Sequence, residues 1–366
     1  MTGPRRRWLL LGGPLSGYTF DLFKTVSELR DIDVRFLHDP IDGLPSFEHE
    51  ATAGRPANCL WWKNGGVAEI RRFVREPRPE AVFIYGTQPR VKMNLALRFI
   101  PVSTPIYYAA DSNVMSLALH ARRAIAQRLA LIPLAKRATA ALSLGLTNRL
   151  AMQAMGFERV VEVPVYAVDF AVLDAGAPRP ATDSDEVAIL VIARLATVKN
   201  LPAVVTALVQ HPDLLSRVRL VIAGEGPDRG ALEALQKQHP QLKLELLGAV
   251  SRQDLGALLR RSDALLLPSL EEPWGIVVTE ALGMGIPVVA SPTVGAAVSL
   301  AGSTQAILIS DSIHPQSVVE SIRTFIERRK AITSAAQASQ AQVRARYDRQ
   351  AVAQALIALV EGRGGQ

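Results

Sequence analysis

The 366-residue sequence contains a single cysteine, Cys59, so no intrachain disulfide can form. That fits a reducing compartment. No apolar run reaches the roughly 18 residues that suggest a membrane-spanning helix. The six histidines show no metal-ligand spacing. There is no G-x-S-x-G elbow, Walker loop or zinc pair. Asp31-x-Asp33 and Asp183-x-Asp185 imitate an acidic metal-binding pair, but each precedes a strand and reads as a solvated turn. Acid is also missing locally. Between Asp111 and Glu158 no acidic residue occurs, while Arg122, Arg123, Arg128, Lys136, Arg137 and Arg149 stand among many Leu and Ala. Such a segment either lies on an anionic membrane surface or packs as a basic helix on its own sheet. The formal charge of +7 comes wholly from the first half: residues 1–180 hold 23 Lys and Arg against 16 Asp and Glu, and residues 181–366 hold 18 of each.

What is present describes an α/β protein of two domains, as the length alone favours. Arg5-Arg6-Arg7 before Trp8–Leu11 resembles a signal peptide, but Gly12-Gly13-Pro14 cuts the apolar run short, and the segment reads as a buried first strand. Further strand-length apolar runs are Val34–Leu37, Ala81–Tyr85, Ile106–Tyr108 and Ala140–Leu144. They alternate with helical segments at Thr19–Leu29, Val67–Arg75, Arg90–Phe99 and Leu117–Leu131, the pattern of a parallel sheet with helices on its faces. Residues 38–66 read as a long irregular loop in which Trp61 and Trp62 either pack or offer surfaces for stacking. A Pro/Gly/Ser/Asp-rich break at Ala175–Asp185 precedes a second βα series with strands at Val187–Ala193, Arg219–Ala223, Leu242–Leu247, Ala264–Leu267, Ile286–Ala290 and Ala306–Ile309.

The stretch Pro268–Ser291 organises the second series. Ala264–Leu267 ends at Pro268, Glu271–Gly275 form a loop, and a helix runs from Ile276 to about Met284, where Gly285 stops it. Glu272 is thus in the loop and Glu280 inside the helix. In open parallel sheets ligands bind outside the carboxyl ends of strands, which places Glu272 at the mouth. The helix start offers unpaired N–H groups from Gly275 onward, suited to an anion. Arg194 and Lys199 flank another loop at a strand's carboxyl end, where a guanidinium fork and a point charge suit a pyrophosphate. Gly224 and Gly226 suit a tight strand-to-helix turn. Asp111 follows the strand at 106–108, where one reading is a helix N-cap.

Pro268–Ser291 resembles the E-x7-E motif of the retaining enzymes of glycosyltransferase family 4. Pro268, Ser269, Glu272, Trp274, Gly275, Glu280, Ala281, Gly285, Pro287, Val288 and Val289 all fall in register. Ala193–Asn200 is similar to the family's G-R-L-x-x-x-K-G segment, with Ala193 and Asn200 replacing the glycines. Ala223–Pro227 looks like its A-G-x-G-P turn, and Leu247, Gly248 and Val250 like its base-contacting loop. The first half matches in outline. Gly12, Gly13 and Gly17 stand where the family has a glycine-rich loop facing donor phosphate and acceptor, with Pro14 and Leu15 intervening. Asp111 stands where relatives carry a His or Asp near the reacting sugar. Val163–Phe170 resembles the V-x-P-N-G-V-D turn, with Tyr166-Ala167 in place of Asn-Gly.

The resemblance implies a GT-B fold, two Rossmann-like βαβ domains facing across a cleft. Residues 1–178 would form the acceptor domain, with a C-terminal helix within 347–366 packed back on it, and residues 179–346 the donor domain. It implies a retaining hexosyltransferase that moves a sugar from a nucleotide-diphosphate sugar to a glycan or lipid-linked acceptor, in surface polysaccharide or glycolipid synthesis. Glu280 would hold the ribose, Glu272 the donor sugar, and Arg194, Lys199 and the amides of Gly275, Ile276 and Val277 the diphosphate. Leu247, Gly248 and Val250 would meet the base, and Asp111 the reacting centre. No metal or other cofactor and no nucleic acid is expected. The place of action would be cytoplasmic, with attachment to the inner membrane face left open. The alternatives are a non-catalytic nucleotide-sugar-binding partner of another transferase, and a sugar-nucleotide epimerase of similar fold.

Overall fold

A computed structural model describes residues 6–12, 16–38, 59–61, 67–76, 78–86, 90–175 and 185–362. The first half runs β1 (Arg7–Gly12), α1 (Gly17–Arg30), β2 (Asp33–His38), β3 (Cys59–Trp61), α2 (Val67–Arg75), β4 (Ala81–Tyr85), α3 (Arg90–Phe99), β5 (Ile106–Ala109), α4 (Val114–Leu119), α5 (Ala121–Arg137), β6 (Ala140–Ser143), α6 (Leu146–Ala154) and β7 (Val160–Glu162). The second runs α7 (Phe170–Asp174), β8 (Val187–Ile192), a 3-10 turn (Thr197–Lys199), α8 (Leu201–Leu208), α9 (Pro212–Leu215), β9 (Val218–Ala223), α10 (Arg229–Gln238), β10 (Lys243–Gly248), α11 (Arg252–Arg260), β11 (Ala264–Leu267), α12 (Ile276–Gly283), β12 (Val288–Ala290), α13 (Gly295–Leu300), β13 (Ile307–Ile309), α14 (Pro315–Glu327), α15 (Arg329–Tyr347) and α16 (Arg349–Val360). Among the described residues no helix is long and apolar enough to cross a membrane.

The strands make two sheets, ordered β3-β2-β1-β4-β5-β6-β7 and β10-β9-β8-β11-β12-β13. Every pairing is parallel. Central strands such as β4 (AVFIY) and β11 (ALLL) are buried along their whole length, as strands covered by helices on both faces must be. Each sheet reverses its winding once, between β1 and β4 and between β8 and β11.

Two compact units result: 1–167 with 347–366, and 168–346. In the first, Leu9, Leu11, Val82, Ile84 and Tyr108 fill the core, and the Tyr108 ring stacks on Phe157 at 4.7 Å. Its α16 lies on α1, and the Tyr347 hydroxyl donates to the Leu144 carbonyl at 3.0 Å. Arg7 is buried under the Phe73 ring, 5.7 Å from its centre, and burial lowers its pKa to about 10.

The second unit starts at Val168 rather than at the expected residue 179. Arg344 of α15 is the physical reason. Its fork donates to both oxygens of Asp174 at 2.7 Å and to the Gly283 carbonyl at 2.6 Å, and it covers the Phe170 ring at 4.9 Å. This pairing holds the Asp174 carboxyl below its ordinary pKa. The short α7 is thereby tied to the end of α12 and lies against α11.

Several elements differ from the sequence reading. The expected loop at 38–66 contains β3, which extends the sheet beside β2, Phe36 pairing with Cys59 and His38 with Trp61. The expected helix Leu117–Leu131 is two helices, because His120 leaves helical geometry at φ −121° and ψ 50°. α5 then continues through Pro133 to Arg137. β7 and α13 add to the expected elements. Asp31 ends α1 with φ +50°, and Asp33 accepts from Arg35 at 2.9 Å. Asp183, Gly13, Trp62 and most of the 175–185 break lie outside the described residues, as does the side chain of Trp61.

Gly256 gives a test of the α7–α11 contact. An alanine inside a helix ordinarily stabilises by about 0.5–1 kcal/mol over glycine. Here a Cβ would stand 2.0 Å from the Leu173 carbonyl oxygen. Gly256→Ala is therefore expected to destabilise the protein by about 1–3 kcal/mol, read as a lower urea midpoint. A raised midpoint would show that α7 does not hold its place against α11.

Candidate functional site

In the second sheet β11 lies beside β8, Ala264 opposite Ile189 and Leu265 opposite Leu190. The loops at their carboxyl ends, 193–200 and 268–275, are therefore neighbours although far apart in the chain. The Leu270 N–H donates to the Val198 carbonyl at 2.8 Å. On the other side of the 193–200 loop lies the turn after β9. Leu195 N–H donates to Glu225 O at 2.8 Å, and Asp228 N–H to Leu195 O at 3.0 Å. Glycine is needed for this approach. A Cβ on Gly224 would stand 1.8 Å from the Ala193 oxygen, and one on Gly226 2.3 Å from the Leu195 oxygen. Asn200 has φ +59°, a left-handed conformation that asparagine tolerates better than most residues. Its amide donates to the Ile313 carbonyl at 3.1 Å. That explains how Asn replaces the expected glycine.

The loop 268–275 is fixed from the far side too. Gly295 N–H donates to Glu272 O at 3.1 Å and Ala296 N–H to Trp274 O at 2.8 Å. Ser291 and Thr293 hydroxyls both donate to the Ser269 carbonyl. The sequence reading missed this brace. Gly275, at φ +84°, then turns the chain into α12, whose start carries no side-chain cap.

On this frame the charged residues separate by role. Lys199 Nζ donates to Glu272 Oε2, and the two side chains are 17% and 15% exposed. Arg194 is exposed and has no ion-pair partner among the described residues. Glu280 lies in the second turn of α12 and is 2% exposed. A carboxylate buried in so apolar a helix costs free energy that only polar partners offset. Ile276 and Val277 head α12, so their N–H groups precede any intrahelical partner. Gly248 accepts from the Gly224 N–H at 2.7 Å, which joins the 247–250 loop to the same row of turns. Among the described residues no three His, Cys, Asp or Glu side chains cluster as a metal site would require.

The carboxyl edge of the first sheet carries a second polar group. Gly12 is opposite Tyr85, so close that a Cβ would stand 2.6 Å from the Tyr85 oxygen. Gly17 is the first residue of α1, capped by Ser16, whose Oγ accepts from Thr19 N–H at 3.3 Å. Asp111 does not cap α4; Asn113 does, accepting from Ser116 N–H at 2.7 Å. Asp111 instead accepts from the Tyr166 hydroxyl at 3.2 Å, and the Tyr166 and Tyr85 rings lie 5.9 Å apart. Burial raises the Asp111 pKa above its ordinary value. Asn148 holds this turn, donating to the carbonyls of Ala110 at 2.8 Å and Ser112 at 2.6 Å. Tyr166 stands where the resemblance expects Asn, so only the general position of that turn carries over.

Comparison with known proteins finds relatives over part of the chain and one fold over nearly all of it. An uncharacterized glycosyltransferase of Methanocaldococcus jannaschii is 39% identical over 114 residues, covering 30% of this chain and 28% of that protein. The GDP-mannose-dependent alpha-(1-6)-phosphatidylinositol dimannoside mannosyltransferase of Mycobacterium tuberculosis is 30% identical over 141 residues, 37% of this chain and 34% of that protein. The matches thus span only a minor part of these relatives' lengths. Over almost the whole chain the structure resembles Anabaena HepE, crystallised in complex with UDP and glucose, with a TM-score of 0.73, 17% identity, and coverage of 97% and 99% of the two chains. At that identity the likeness establishes the fold, which is GT-B, with two parallel-sheet α/β domains. Residues 177–342 match the family model described as Glycosyl transferases group 1, and that span contains Arg194, Lys199, Glu272 and Glu280.

Proposed function

We propose that the protein is a retaining glycosyltransferase whose second unit holds a nucleotide-diphosphate sugar. The observation that carries this reading is the convergence of the Lys199–Glu272 pair, the exposed Arg194 and the uncapped start of α12 at neighbouring strand ends. A diphosphate there meets the Arg194 fork and the amides of Ile276 and Val277. It also gives Lys199 a second anion, so that Lys199 bridges it to Glu272. Glu272 retains acceptor capacity for a hydroxyl of the donor sugar, and Glu280 offers two oxygens to the ribose diol. As the bond from the sugar to the diphosphate breaks, negative charge grows on the departing oxygen, and donors already in place stabilise it. The acceptor hydroxyl attacks from the face of departure and gives its proton to the departing diphosphate oxygen, so configuration is retained without a protein nucleophile. The cations do this work without calling on a metal. The acceptor is assigned to the first unit, with Asp111 and Tyr166 as its polar contacts. The name of the Mycobacterium relative and the UDP and glucose bound by HepE support a nucleotide-sugar donor and a glycan or lipid-linked acceptor. An epimerase would consume the same donor with no acceptor, so product analysis separates the two.

The two glutamates provide the main test. Glu280→Gln is expected to weaken binding of the nucleotide diphosphate itself. Glu272→Gln is expected to leave that binding nearly intact while turnover drops ~10²–10³-fold, as when a transition-state donor is lost. Arg194→Ala removes charge-assisted hydrogen bonding worth about 1.5–3 kcal/mol in all, so diphosphate affinity falls roughly 10–100-fold and nucleoside affinity hardly changes. Calorimetry with single-turnover transfer, with and without EDTA, reads all of these. Full turnover in Glu272→Gln, or loss of wild-type turnover in EDTA, would refute the mechanism.

Asp111 allows a test by pH. Its folded pKa is raised above the ordinary 3.8, so the folded state holds the proton more tightly than the unfolded chain. The carboxyl is then without penalty below pH 3.8 and costs stability as pH rises through the folded pKa. Asp111→Asn keeps an acceptor for Tyr166 and is expected to raise the urea midpoint at neutral pH but not in acid. A stability difference independent of pH would show that Asp111 is not held as described.

A further inference from the structure

Six of the ten large hydrophobic side chains exposed among the described residues fall within 119–150: Leu119, Ile125, Leu129, Ile132, Leu146 and Leu150. Scattered single exposures need no explanation, but these are concentrated in the longest interval without an acidic residue, 112–157. α5 shows how they are arranged. It buries Gln127, Leu131 and Leu134 on one face. Ile125, Leu129 and Ile132 follow helical spacing on the opposite face, where Ile125 and Leu129 are 60% and 62% exposed. Arg122 and Lys136 fall on the same stripe, one at each end, by the 3.6-residue period. Arg128 flanks it, and Arg123, at the first turn of the helix, lies off the stripe; both are exposed. α6 repeats the pattern. It buries Thr147, Asn148, Ala151 and Met152 and exposes Leu146, Arg149 and Leu150. α4, which ends in Leu119, packs against both α5 and α6.

We infer that the outer faces of α4, α5 and α6 form a docking surface for an anionic lipid bilayer. α5 is a helix with two apolar faces, of which the fold covers one. Among the described residues none of Arg122, Arg123, Arg128, Lys136 and Arg149 has a carboxylate within ion-pair distance, so no described acid balances the cations around the outer face. Leucine and isoleucine rimmed by arginine suit the boundary of acyl chains and phosphate headgroups: the apolar side chains enter it and the guanidiniums stay at phosphate level. Charge complementarity selects anionic over neutral lipid, and the apolar stripe selects a bilayer over a free phosphate compound. The surface is separate from the donor residues of the second unit, so its test needs no nucleotide sugar.

The experiment is sedimentation of the full chain with vesicles of phosphatidylcholine alone and of phosphatidylcholine with phosphatidylglycerol. Binding only to the anionic vesicles, weakened by salt, is expected. Each Arg near such a surface contributes about fivefold, so R122Q/R123Q/R128Q should lower the partition coefficient roughly 100-fold at low salt. I125Q/L129Q/I132Q should lose binding while keeping every cation. These side chains are exposed, so both variants should keep the wild-type thermal melt. No sedimentation of wild type, equal binding to neutral vesicles, or unaltered binding by both variants would overturn the inference. So would a wild-type dimer, seen in analytical ultracentrifugation without vesicle binding, that I125Q/L129Q/I132Q dissociates; in that case a second copy covers the stripe.

Discussion

The candidate site depends on the parallel pairing of β8 with β11. A doubly wound sheet places these strands together because its winding reverses between them. Their carboxyl-end loops then have to share one edge, and the polar contacts of the candidate site follow from that. Lys199 meets Glu272 across 73 residues of chain, and Leu270 pairs its backbone with Val198. The glycines at 224 and 226 let a third loop close on the same row. α12 begins at this edge, and its other end is held by Arg344 through the Gly283 carbonyl. The helix is thus positioned at both ends, by a glycine turn where it faces the edge and by a guanidinium fork where it leaves it.

Much of this was legible because the relevant residues are close in sequence. Pro268 to Ala290 contains strand end, loop, helix and next strand in one local pattern, and its boundaries fall at Pro268, Gly275 and Gly285. The Lys199–Glu272 pair was not legible, because it is created by strand order, which local periodicity does not encode. The same holds for Tyr166 with Asp111, 55 residues apart. β3 is three residues long and sits among Pro, Gly and His, too short for alternation to register. The break at His120 has no glycine or proline to announce it, while Pro133, which does announce a stop, is accommodated within α5. Sequence signals thus reported what neighbours along the chain do and missed what the sheets bring together.

The two units spend their surface chemistry differently. The second half of the chain carries equal numbers of acids and bases, and many are paired, as Arg219 and Lys243 are with Glu186 at the amino ends of neighbouring strands. The first half holds the whole cationic excess, and much of it lies on α5 and α6 among exposed leucines and isoleucines. A fold that balances one half of its charge and leaves the other half cationic carries its net positive charge in the first half.

The backbone bonds that join loops 193–200, 224–228 and 268–275 have a dynamic consequence. Irregular segments at a ligand edge commonly open at little free-energy cost and exchange their amides quickly. Here Ala193, Leu195, Gly224, Asp228 and Leu270 each donate to a carbonyl on a neighbouring strand end or turn. Their amides should exchange on the timescale of the sheet rather than of surface loops. The ordering entropy of the edge is then paid when the chain folds, and a ligand arriving there meets groups that already stand still.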